Sequence, residues 1–199
     1  MALRSQALIS PPLASLSAER GMTDVTITYR TFLLDPDVGP AGKNIPEMLK
    51  ARYGRDPAPM FARVESEARN TGIALELAKQ PMMYSTLRAH TLLRHAVARK
   101  TQRALNQALF AANFLDAKNI SDADTLAEIA SAHGFTKEEA HALVTSDHEL
   151  AITRAESDVP KKLGISGAPF FVFNEKLAVS GAQPEPVFNQ VLDELVATT

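Results

Sequence analysis

The stretch Gly164-Ile165-Ser166-Gly167-Ala168-Pro169-Phe170-Phe171-Val172-Phe173, continued by Asn174-Glu175-Lys176-Leu177-Ala178-Val179-Ser180-Gly181-Ala182-Gln183, narrows the possible folds more than any other part of the chain. Small residues lead into a proline, and an apolar run from Phe170 reads as a buried strand. A polar turn then reverses the chain, and a second short strand ends at Ser180-Gly181 ahead of a helix. A proline that opens a strand gives no N–H to the ladder, so a special turn with a cis Ala168–Pro169 peptide is expected. The plainer alternative is a trans proline starting an ordinary strand. The cis bend leaves the N–H and C=O of Ala168 facing outward, open to an extended ligand that pairs as an added strand.

The composition contains no cysteine. Thiol–disulfide exchange needs a thiolate to attack a disulfide sulfur and a second thiol to resolve the mixed disulfide, and no oxygen nucleophile takes either part. With 199 residues, 45% of them hydrophobic, the chain is long enough for one sizeable core, or for a core with a helical insertion. A net charge of −2 and the lack of any run of like charges give no reason to expect nucleic acid. No apolar stretch approaches the length of a membrane span, so no membrane partner is expected. Residues 1–22 carry no secretory core segment, on which a cytoplasmic location is expected. Their Ser and Arg content, with no acidic residue before Glu19, is the one transit-peptide trait.

Along the chain, Val25 to Leu34 alternates β-branched and aromatic residues with polar ones and ends at Asp35-Pro36-Asp37, which predicts a strand and a turn. Helical patterns then dominate from Ile45 to about Lys162. Pro46 suits the first turn of a helix running toward Tyr53, and Pro57 and Pro59 precede another that Gly72 would end. Thr86 to Val97 and Gln102 to Phe114 carry apolar residues at helical spacing. Ser121 is expected to cap the next helix, and Thr136 with Glu139 forms a capping box for the one after. A helix from Asp147 meets Pro160, which is expected to kink it or end it near Asp158. Pro184 to Val196 reads as a terminal helix with Val187, Phe188, Val191, Leu192 and Leu195 inward.

A strand, a long helical block, a strand pair and a helix match an α/β chain with a thioredoxin-like sheet and a large inserted all-helical subdomain. The chain resembles the DsbA-family oxidoreductases, in particular the FrnE-like branch near the 2-hydroxychromene-2-carboxylate isomerases and kappa-class glutathione transferases. Three pieces carry the resemblance: Tyr29-Arg30-Thr31-Phe32-Leu33-Leu34-Asp35-Pro36, the helical stretch from Ser85 through His90 to Phe114, and Gly164 to Gln183. It implies a cis-proline at Pro169 and a ligand groove between the core and a helical lid. It also implies a core of residues 25–36 and 163–199 with residues 40–162 inserted as the helical subdomain. The family places a strand and a Cys-x-x-Cys helix before the Val25 strand. Here the N-terminal strand and helix are degenerate, and residues 1–24 are expected to be an atypical leader, disordered or read from a shifted frame.

The nearest counterpart at the front is Ile9-Ser10-Pro11-Pro12, similar to the Ser-Pro entry of the isomerase and transferase branches, where a serine at a helix N-terminus stabilises a glutathione thiolate. That resemblance makes Ser10 a candidate catalytic residue and glutathione a candidate cofactor, since a helix N-terminus favours an anion. A Ser-Pro turn or simple cap is the alternative. Among the histidines, His90 and His95 miss the spacing for shared ligation, and Glu138 with His141 is a single E-x-x-H, so no metal site is expected. The resemblance places His90 on a helix lining the groove, with Ala168 and Pro169 as the substrate-binding edge. Arg30 is read as a core-edge strand residue rather than a groove cation. Three functions follow: a family member without catalytic thiols, a glutathione-dependent serine-type enzyme, or a module binding an extended peptide or small thiol beside Pro169. An uncovered sheet edge would favour a homodimer.

Overall fold

A computed structural model describes residues 26–39, 41–54 and 56–197. Its first elements are small: β1 (Lys43–Asn44) leads directly into α1 (Ile45–Tyr53). The Asn44 side chain accepts the Glu47 N–H at 3.0 Å and Pro46 occupies the first turn, so the start satisfies one orphan donor and spends no other. Following α2 (Ala58–Arg69) and a 3₁₀ turn at Leu77–Lys79, β2 (Met82–Met83) returns antiparallel to β1 with Lys43 opposite Met83. Gly42 precedes this closure with φ of 74°, and a Cβ there would lie 2.9 Å from the Met83 carbonyl oxygen, so only glycine fits.

The helical lobe consists of α3 (Leu87–Ala96), α4 (Gln102–Phe114), α5 (Ala123–Ser131), α6 (Lys137–Thr145) and α7 (Asp147–Lys162). Leu92, Leu105, Leu126 and Val144 are fully enclosed in one apolar cluster that draws on α3 to α6. These are the inward positions of amphipathic helices, and their burial is the main favourable term holding the lobe together. The chain ends in a second, smaller assembly: β3 (Phe170–Phe173) and β4 (Leu177–Ser180) form an antiparallel hairpin covered by α8 (Glu185–Ala197). Its core is Val179, Phe188, Leu192 and Leu195, with Phe171 set edge-on to Phe188 at 5.2 Å between ring centroids.

Several local expectations are corrected. Residues 26–34 join no strand ladder among the described residues, although burial alternates along them and Thr31 and Leu33 are buried. The main chain at Tyr29 is held instead by a side chain: its N–H donates to Gln102 Oε1 and its carbonyl accepts from Gln102 Nε2, each at 2.9 Å. The cap of α5 is Asp122, which accepts the Thr125 N–H at 2.8 Å, while Ser121 turns back to Asn119. Pro160 does not end α7 near Asp158, since the helix runs on to Lys162. It lies in the last turn, where only its own N–H is lost, and the Leu163 N–H still reaches the Val159 carbonyl at 3.2 Å. β3 is not buried on both faces: Val172 is 58% exposed, because α8 covers one face and nothing described covers the other.

The β3–β4 turn carries a local cost. Asn174 and Glu175 have φ of 47° and 58°, the paired left-handed conformations of a primed hairpin turn, and the Lys176 N–H closes on the Phe173 carbonyl at 2.9 Å. Glutamate tolerates that region poorly, so Glu175→Gly, which creates the favoured Asn-Gly pair, is expected to stabilise the protein by about 0.5–1 kcal/mol. A urea midpoint that rises at constant m-value checks this; an unchanged or lower midpoint would show that the turn is not strained.

Candidate functional site

The hairpin and α3 carry the residues singled out by the sequence. Ala168–Pro169 is a cis peptide at the mouth of β3. The Pro169 carbonyl accepts the Gly181 N–H at 2.9 Å, which anchors the bend to the end of β4. Ala168 is exposed, and neither its N–H nor its C=O has a partner among the described residues. An unpaired amide at a strand entrance presents one donor and one acceptor in the spacing that an added strand uses.

His90 sits in the first turn of α3, its N–H bonded to the Thr86 carbonyl at 2.9 Å. Its ring keeps part of its surface in contact with solvent, yet the packed surroundings oppose charge there, and desolvation pushes the imidazole down to about 4. The ring is therefore neutral at physiological pH. No hydrogen bond or ion pair among the described residues joins His90 to Ala168 or Pro169, and neither of two shallow surface depressions includes any of the three. Ser10 lies outside the described residues, and Arg30 is exposed rather than packed at a core edge.

Sequence reasoning missed the polar seam between α3 and α7. Thr91 Oγ1 and Thr153 Oγ1 are 2.9 Å apart in a fully buried contact, and each hydroxyl also reaches a carbonyl one turn back, Leu87 and Glu149 respectively. At the far end of the seam, Glu149 accepts from His95 Nε2 at 2.8 Å and pairs with Arg94. These two partners, His95 first, hold the Glu149 carboxyl below the usual range against the opposing effect of its burial. The signal was present as Glu149, Thr153 and Ser157 at four-residue steps, a polar row where an apolar stripe would otherwise face α3. The single E-x-x-H does not assemble a ligand set: His141 lies 3.6 Å from exposed Asp124, and no metal-binding cluster occurs among the described residues.

A model of the DSBA-like thioredoxin domain matches residues 8–193. The chain belongs to the DSBA-like thioredoxin family. A crystal structure of a probable DsbA oxidoreductase from Streptomyces coelicolor is similar over the whole of this chain and 86% of that one, with a TM-score of 0.85 and 28% identity. No curated protein matches in sequence. The mixed α/β architecture with its helical insert is thus a DSBA-like fold, and the family is one of oxidoreductases. This DSBA-like chain nevertheless contains no cysteine. No described helix is long and apolar enough to cross a membrane.

Proposed function

We propose that this DSBA-like protein is a redox-silent member of its family, on the FrnE-like side, that binds extended polypeptide along the Ala168–Pro169 edge. The lack of any cysteine carries the first half of the reading, because neither the attacking nor the resolving sulfur exists in the chain. The exposed, unpartnered amide of Ala168 supports the second: main-chain pairing supplies affinity with little dependence on side-chain sequence.

The test uses a fluorescent, cysteine-free extended peptide. Binding is expected to weaken by about tenfold or more in Ala168→Arg, whose side chain blocks strand addition, and neither protein is expected to reduce a disulfide substrate. Peptide binding that is unchanged by Ala168→Arg would overturn the reading. So would glutathione binding that disappears in Ser10→Ala, which would point to the serine-type thiol chemistry instead.

A further inference from the structure

We infer that Gln183 is a positioning residue for the peptide edge, fixing the direction of the Ala168 carbonyl through the Gly181–Pro169 bond. The inference rests on the peptide reading. β4 pairs with β3 as far as Ser180 opposite Phe170, and the next residue, Gly181, donates its N–H to the Pro169 carbonyl at 2.9 Å. That bond makes Pro169 opposite Gly181 a hydrogen-bonding position, and alternation gives Phe171 opposite Val179 the same character. The Ser180 carbonyl between them therefore faces away from β3. There it accepts from Gln183 Nε2 at 2.8 Å. The Ser180 carbonyl and the Gly181 N–H belong to one planar peptide unit and point in opposite directions. Gln183 thus holds the far side of the plane whose near side holds Pro169.

The main chain of Gln183 holds the following plane as well, since its N–H donates to the Gly181 carbonyl at 3.1 Å. Both peptide units around Gly181 are therefore tied to one residue. The clamp matters at this position because Gly181 has a φ of 82°, and a residue without a Cβ turns between left- and right-handed conformations at little cost. A Cβ there would meet Gln183 Nε2 at 3.6 Å, an ordinary contact, so the amide lies beside the glycine without excluding a methyl group. On the other side of the bond, the pyrrolidine ring fixes φ of Pro169. A residue held at its carbonyl by Gly181 and at its nitrogen by its own ring leaves the preceding Ala168 carbonyl little freedom to turn. From Gln183 to the exposed acceptor of the edge, the path is two hydrogen bonds and one proline ring.

Binding of the cysteine-free extended peptide to the full chain, with hydrogen exchange of the Gly181 amide, tests this. Gln183→Ala is expected to weaken binding about threefold to fivefold, the effect of one solvent-accessible hydrogen bond, and to speed exchange at Gly181 while the urea midpoint stays nearly unchanged. Gln183→Glu keeps the size of the side chain but has no donor at neutral pH, so it is expected to behave as Gln183→Ala does. Gly181→Ala is expected to weaken binding in its own right, and adding Gln183→Ala to it to cost less than Gln183→Ala alone, because both act through one peptide plane. If Ala168→Arg weakens binding while Gln183→Ala and Gln183→Glu bind as the native protein does, this inference falls and the peptide reading stands. Full additivity of the Gln183 and Gly181 changes also overturns it. Binding indifferent to Ala168→Arg overturns the peptide reading itself, and this inference with it.

Discussion

Gln102→Leu is expected to lower stability by about 3 kcal/mol, a fall in Tm on the order of 6–12 °C for a chain of this size. One buried side chain accepts the Tyr29 N–H, donates to the Tyr29 carbonyl and donates to the Leu93 carbonyl at 3.0 Å. Leucine keeps most of the volume but removes all three bonds, each ordinarily contributing about 1 kcal/mol and more where the stranded group stays buried. The decisive readout is local. Hydrogen exchange at the Tyr29 amide is expected to accelerate far more than exchange within α5 or α6. If Tyr29 stays as protected as before, its segment is held by something other than this amide clamp. Because residues 26–34 form no ladder among the described residues, Gln102 is the described link that ties their main chain to the helical lobe.

Acidification from about pH 7 to pH 5 is expected to cost about 1 kcal/mol through His90 alone, roughly half the full linkage value because solvent reaches its partly exposed ring. Folded, the imidazole is pushed down to about 4 by desolvation; unfolded, it protonates near its ordinary 6.5. The unfolded chain then binds more protons between these values, so the stabilisation is complete above 6.5 and is lost as pH falls toward 4. The carboxylates act lower. Glu149, held down by His95 and Arg94, and Asp122, held down by its Thr125 cap, are lowered from 4.5 and 3.8, so their contributions are present above those values and fade only below them. His90→Gln is accordingly expected to flatten the denaturation midpoint across the upper window while leaving the steeper acid limb. An identical pH response in that variant would assign the effect elsewhere.

Helices were legible wherever the chain supplies its own boundaries. Gln102 to Phe114 matches α4 residue for residue, and Thr136 caps α6 through the Glu139 N–H at 3.0 Å. The reciprocal half of that capping box is not made, since the Glu139 carboxylate pairs with Arg99. Legibility failed where a neighbour in space decides the outcome. Pairing of Lys43–Asn44 with Met82–Met83 leaves no periodic trace in two-residue strands. The alternation at residues 26–34 has the right period for a strand, but a ladder needs an adjacent edge, and the described partner is a glutamine side chain. At the site, the cis Ala168–Pro169 entrance was legible from the small residues before it and the apolar run after it, since proline chemistry alone favours a trans bond. Neither the exposure of Val172 nor the neutrality of His90 could be read, since each depends on what packs beside it.

The two apolar clusters share no residue: one is confined to α3 through α6 and nearby loops, the other to the hairpin and α8. Each is assembled from contacts close in sequence, so each lobe gains its packing without waiting for a distant segment to arrive. Such an arrangement divides cooperativity. The hairpin lobe, with the smaller enclosed core, is expected to open as a unit of its own at a lower free energy than the helical lobe, which hydrogen exchange checks. The amides of β3 and β4 then report the subglobal opening, whereas those around Leu92, Leu105 and Leu126 report the unfolding of the whole.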